Sequence, residues 1–241
     1  MRALLKRELR SAGSTATVYI YLVAFLLLSG ICTFYGGEFY ERNHADLNPF
    51  FEYLPWLYIL LLPALGMRLW SEERKSGSIE LLMSLPVSAL GAVLAKFFAS
   101  WIIAMAGLLL TFPLVLTVNY LGEPDNGVIL CGYLACVLLA GNFLAICNCT
   151  SALTKSPLLA FLLGAAVCLF FIACGSSVIL DLFRNWVSVH WLDRVASMSV
   201  LAHFGGLTQG VIEPRDLLYF ISQIVAWIAI TVLTVELKKA A

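Results

Sequence analysis

Charge is scarce in this 241-residue chain. Only 12% of residues are Asp, Glu, Lys or Arg, about half the share of an ordinary soluble domain. That deficit excludes a water-soluble enzyme. Fifteen basic residues meet fifteen acidic ones, so there is no basic field for the sequence-independent part of nucleic-acid binding. Histidine occurs three times, as His44, His190 and His203, and no G-x-x-x-x-G-K-[ST] phosphate loop is present. The chain therefore lacks the usual means of binding and hydrolysing a nucleotide. What fills the space is apolar: 61% of residues are hydrophobic and mean hydropathy is +0.91. Disorder, which needs the opposite composition, is excluded as well.

The seven cysteines, Cys32, Cys131, Cys136, Cys147, Cys149, Cys168 and Cys174, sit in or beside apolar runs, so a disulfide framework is not expected. Cys147 and Cys149 have the spacing of a soft-metal pair. No third ligand lies near them in sequence, and small residues for close helix packing are the competing reading.

Apolar runs long enough to cross a bilayer give an all-α, polytopic membrane fold of six transmembrane helices in one domain, 1–241: Ala16–Tyr35, Tyr53–Met67, Phe97–Val118, Val128–Thr154, Pro157–Leu180 and Leu217–Val235. Pro55 and Pro63 interrupt the second. The first run is preceded by Leu4, Leu5, Leu9 and Ala12 at helical spacing, with Lys6, Arg7 and Arg10 to the other side. Residues 1–15 should thus lie on the membrane surface as an amphipathic helix. With the N-terminus inside, eleven of the fifteen basic residues fall on the cytoplasmic face; both termini are then cytoplasmic in a multi-pass protein.

The six runs as bounded contain no Lys, Arg, Asp, Glu or His. Ion-coupled transport and intramembrane hydrolysis both need such groups at depth, so neither is expected. Helix contacts should form at Ala95/Ala99, Gly141/Ala145 and Ala160/Gly164/Cys168, all at small-xxx-small spacing. Asn142 and Asn148 are the conspicuous polar groups of the fourth run, open to interhelical hydrogen bonding or to contact with something passing along the bundle.

The longest charged segment on the inner face lies in 71–88. Glu72, Glu73, Arg74 and Lys75 can begin a helix capped by Ser71, Gly77 permits a turn or close approach, Ile79, Leu82 and Leu85 offer apolar contacts three residues apart, and Pro86 ends the segment. A second long connection, 181–216, is expected outside the membrane. Trp191, Val195, Met198 and Ala202 recur there at helical spacing, with Trp186 at headgroup level, Gly205, Gly206 and Gly210 breaking the helix, and Pro214 starting the next. His190, Asp193 and His203 leave a metal site open as an alternative.

Glu72, Glu73, Gly77, Ile79, Glu80, Leu81, Leu82, Ser84, Leu85, Pro86, Val87 and Ser88 resemble the "EExxxGTIELLLSLPVS" stretch of ABC-2 type transporter permeases, with Ser78 where Thr is commoner. Lys6-Arg7-Glu8-Leu9 is similar to that family's interfacial elbow helix. The stretch from Ala202 to Phe220 resembles the last outer loop of the subgroup of gliding-motility permeases and those linked to copper-enzyme maturation. The resemblance implies the permease subunit of an ATP-binding cassette exporter in a bacterial cytoplasmic (inner) membrane. It would pair with a second permease, identical or related, and with an ATPase subunit that carries ATP and Mg, leaving this chain without a cofactor or catalysis of its own. It also implies that 71–88 is the coupling segment, with Glu72 and Glu73 as charged docking contacts, Ile79 and Leu82 as apolar anchors, and Gly77 and Glu80 beside them. Solvation of the acids and packing of Ile79 and Leu82 against the spans are the competing readings. The alternative function is a non-transporting membrane anchor that passes ATPase-driven motion to an extracytoplasmic partner.

Overall fold

A computed structural model describes residues 2–37, 46–77, 88–175 and 198–239. Among these the chain is helical throughout, with no strand. In chain order the helices are α1 (Arg2–Gly13), α2 (Ala16–Ile31, prolonged by a π-helical turn Cys32–Gly36), α3 (Asn48–Gly66), α4 (Arg68–Ser76), α5 (Ala89–Leu109), α6 (Phe112–Leu121), α7 (Asn126–Leu153), α8 (Pro157–Ala173), α9 (Val200–Thr208) and α10 (Pro214–Lys239). Five stretches have the length and apolarity to cross a membrane: Ala16–Gly36, Asn48–Ser76, Ala89–Leu121, Asn126–Leu153 and Pro214–Leu237. The remaining apolar helix, α8, has 17 described residues; the rest of the expected fifth span, 176–180, lies outside the described residues.

Local chemistry explains the boundaries. The carboxylate of Asp125 accepts from the backbone N–H groups of Gly127 and Val128, Ser88 accepts from Gly91, and Ser199 accepts from Leu201; each satisfies donors that the first turn leaves free. Pro157 and Pro214 open α8 and α10, where a missing N–H costs nothing. Gly210, at φ 85°, turns the chain between α9 and α10.

Four expectations need correcting. Pro55 and Pro63 do not interrupt the second span, because α3 runs through both; membrane helices tolerate proline where neighbours re-satisfy the freed carbonyls. Ser71 is not a cap: α4 begins at Arg68, almost continuous with α3, and the Ser71 hydroxyl donates to the Met67 carbonyl at 2.5 Å. Gly205 and Gly206 lie inside α9 rather than breaking it. The third span starts earlier than Phe97, at Ala89, and bends at Thr111 before Pro113.

The long helix α7 is the axis of the bundle; almost every residue from Leu139 to Ala152 is buried. α3 and α4 lie parallel to it in one register. Gly132 meets the Phe51 ring, Gly66 meets Cys147, and Ser151 bonds the Trp70 backbone, so the partner stays 81 positions ahead along the whole pair. A Cβ on Gly66 would stand 2.6 Å from the Cys147 Cβ, and one on Gly132 would stand 2.4 Å from the Phe51 ring. The expected small-residue contacts form too: Ala95, Ala99, Gly141, Ala145, Ala160, Gly164 and Cys168 are all buried. Gly141 packs on Trp101 and Ile224, and Gly164 on Thr150, Cys147 and Pro63. Close backbone approach replaces hydrophobic drive where the solvent is itself apolar.

Candidate functional site

A cluster of charged residues lies at one end of the bundle, where α1, α4, α5 and the last turns of α7 meet. Helical spacing puts Trp70 and Glu73 on one face of α4 and turns Glu72 another way. Trp70 is fully buried. Its indole Nε1–H donates to Asn148 Oδ1 at 2.5 Å, and its backbone N–H donates to Ser151 Oγ at 3.0 Å. Ser151 also accepts from the Ser71 N–H at 3.2 Å and donates to the Met67 carbonyl at 2.9 Å, while Arg74 donates to the Ala152 carbonyl at 2.5 Å. Asn148 completes the link by donating to the Val93 carbonyl of α5 at 3.4 Å. Three helices are thus stitched together through one indole and one amide.

Beside this junction lies Lys96, the eighth residue of α5 and about 10 Å along it at 1.5 Å per residue. Its side chain is 5% exposed. The ammonium sits 2.7 Å from Glu73 Oε1 and 3.5 Å from Glu8 Oε2, and 5.1 Å from the centroid of the Trp70 ring. A buried ammonium is tolerable only when paired; here two carboxylates and an aromatic face meet it. Arg7 closes on Glu8 from the solvent side at 2.7 Å. The cluster ties α1, α4 and α5 into one unit, and a cavity of about 520 Å³ opens next to it between α1, α2, α3–α4 and α5.

Of the coupling residues named from sequence, Glu73 turns into the bundle toward Lys96, and Glu72 stays half-exposed, paired with Arg68 at 3.2 Å one turn back. Gly77 ends α4 in the left-handed region at φ 74°, the conformation that favours glycine at a helix C-terminus. Ile79, Glu80 and Leu82 lie outside the described residues. Asn148 takes the interhelical role. Asn142 is buried, yet neither its carbonyl oxygen nor its amide nitrogen finds a hydrogen-bond partner among the described residues.

The expectation that charge stays clear of the spanning helices is corrected at two buried sites. Lys96 is one case, since the third span begins seven residues before it. The second lies at the opposite end of the bundle: Asp216, in the first turn of α10, accepts or shares a proton with His203 across 2.6 Å, and both are buried. His203 is on helix α9, not in a loop, and its ring stacks on Tyr219 with centroids 4.1 Å apart. Its near neighbour is therefore an acid from the next helix. His190 and Asp193 lie outside the described residues. Among the described residues no group of three or more His, Cys, Asp or Glu could hold a metal ion, and Cys147 and Cys149 are buried free thiols.

Sequence reasoning missed Trp70, Ser151 and Lys96. A signal existed for the last: Lys96 directly abuts the third apolar run, and the sequence reading puts Glu73 and Glu8 on the same face of the membrane.

A bundle of apolar helices, five of them long and apolar enough to cross a membrane, describes a multi-pass membrane protein. No curated protein matches the chain. The family model described as "ABC-2 family transporter protein" matches residues 3–234. The chain belongs to the ABC-2 family of transporter membrane proteins, a transport permease and not itself a catalyst.

Proposed function

We propose that this chain is the permease subunit of an ATP-binding cassette exporter, worked through α4 by a separate ATPase. The ATPase, carrying ATP and Mg, docks on 71–88, with Glu72 as an outward charged contact and Ile79, Glu80 and Leu82 beside it. A second permease, identical or related, completes the path. Six spans, an elbow helix at residues 1–15 and both termini in the cytoplasm of a bacterial inner membrane complete the arrangement, in which residues near 181–216 face outward. The likeness of Ala202–Phe220 to the gliding-motility and copper-enzyme-maturation permeases belongs to this reading.

The observation that carries it is the continuity of α3 and α4 together with the bonding of α4 to α7. A segment meant only to connect two spans needs no buried tryptophan, no shared hydroxyl and no buried ammonium. Here, motion imposed at Gly77 reaches α7 through Trp70, Ser151 and Arg74, and reaches α5 and α1 through Glu73 and Lys96. Coupling requires that nucleotide binding favour one of two helix arrangements by differential contacts. The buried ion cluster supplies such a difference, because a separated Lys96 and Glu73 would each have to find other partners.

The test is purification of the chain from its native host, followed by ATP turnover of the complex in vesicles. Recovery of a nucleotide-binding protein, released by charge reversal at Glu72, supports docking. Retention after that change and after polar replacement of Ile79 and Leu82 rejects the assignment. ATP turnover without cargo movement over a broad panel favours the non-transporting anchor instead.

A further inference from the structure

The cavity beside Lys96 is shaped for an amphipathic molecule. Its volume of about 520 Å³ lies within the range of about 300–1,000 Å³ usual for small-molecule sites. Its lining is mixed: exposed Ser11, Arg68 and Glu72, buried Lys96 and Ser100, and apolar Val18, Leu65 and Ile103. Charge on the lining is nearly balanced. Glu8, Glu72 and Glu73 face Arg68 and Lys96, and Arg7 meets Glu8 from outside.

We propose that this cavity seats the headgroup of a zwitterionic amine phospholipid from the adjoining leaflet. Lys96 is engaged by two carboxylates, whereas the Arg68–Glu72 pair is half-exposed, with side-chain accessibilities of 46% and 54%, and joined through the guanidinium Nε. The terminal nitrogens of Arg68 form a fork that suits a phosphate bidentately. Glu72 accepts from an ammonium. A head carrying both charges matches a lining that carries both, while a head with one net charge leaves one of the pair unanswered. The acyl chains have a place as well. Thr17 and Val18 line the cavity at the start of α2, and further along that helix Ile20, Val23 and Leu27 are exposed and apolar at helical spacing.

The proposal does not depend on any ATPase. The full-length chain, purified in detergent, is titrated with short-chain phosphatidylethanolamine, phosphatidylcholine and phosphatidylglycerol and with water-soluble phosphoethanolamine, binding being read by native mass spectrometry and by the shift in unfolding temperature. Phosphatidylethanolamine is expected to bind about tenfold more tightly than the other two lipids, the equivalent of one charged hydrogen bond, and phosphoethanolamine far more weakly still. Glu72→Gln and Arg68→Gln should each remove that preference. Both should keep the lipid-free unfolding temperature close to wild type, because exposed pairs contribute about 0–1 kcal/mol. Ser11→Trp, at an exposed lining residue, should lower phosphatidylethanolamine binding with no change in the fold. Equal binding of the three lipids, or an undiminished preference in the Arg68 and Glu72 variants, overturns the site. Phosphoethanolamine binding as tightly as the lipid overturns the assignment to a membrane ligand.

Discussion

Lys96 and Glu73 meet at 2.7 Å across 23 residues of chain, with the Lys96 side chain 5% exposed. The pair joins the two helices that flank 78–87, so both limbs entering and leaving that segment are clamped to each other at its base.

Removing the cation should cost more than removing the pair. Lys96→Met leaves Glu73 and Glu8 facing a buried space, and loss of one partner of a buried ion pair costs about 3–5 kcal/mol. The double variant Lys96→Met/Glu73→Gln should recover a good part of that loss. Denaturant unfolding of the four members of the cycle in detergent gives the coupling term; a double variant as unstable as the sum of the singles would show that the two do not act together.

Trp70→Phe should keep the packing at the junction and delete one donor. Asn148 Oδ1 is then buried without its indole partner, a cost of about 1–3 kcal/mol. Thermal unfolding measures it. Following with Asn148→Leu should add less than that substitution costs in the wild-type background, because its principal bond has already gone.

Asn142→Leu is expected to stabilise the isolated chain. The amide is buried with no partner among the described residues, and burying such a group costs about 1–3 kcal/mol. A rise in unfolding temperature checks the expectation. Impaired transport by the same variant in the assembled complex would assign the amide to the pathway.

Gly66→Ala should be destabilising although alanine is the better helix former. The added methyl would stand 2.6 Å from the Cys147 Cβ, and overpacking costs about 1–3 kcal/mol. Cys147→Gly should restore part of the loss, and unfolding of the single and double variants decides it.

At the opposite end, Asp216→Asn keeps a hydrogen-bonding group beside His203, whereas His203→Phe leaves the carboxylate buried without the imidazole. The phenylalanine variant should be the less stable of the two by about 1–3 kcal/mol, and adding Asp216→Asn to it should recover stability. Equal unfolding temperatures for the two single variants would remove the dyad from the structural account.

Sequence reading located the helices better than it located their ends. Apolar runs and small-residue spacing follow from the solvent around them, so α2, α5, α7 and α10 and the contacts of Gly141 and Gly164 were legible. Chemistry at the ends was not. A window that stops at the first charge excludes Lys96 by construction, although burial of that ammonium depends on Glu8, 88 residues away. Trp70 falls outside the second run, which ends at Met67, and only the 81-position register with α7 shows that it is interior. Ser71 fitted a cap by residue type, but the helix arrives from α3 already wound. The His203–Asp216 pair needed the turn at Gly210 to fold α9 back on α10, and spacing alone does not announce that return.

The tight seats at Gly66 and Gly132 lie fifteen residues apart on different helices of the same parallel pair. Two interlocked notches about 22 Å apart along the axis, at 1.5 Å per residue, forbid one rod from sliding past the other by even a single turn without a collision at both. The α3–α4 rod and α7 are therefore keyed to each other at two levels, and a relative displacement along the axis has to open both seats at once.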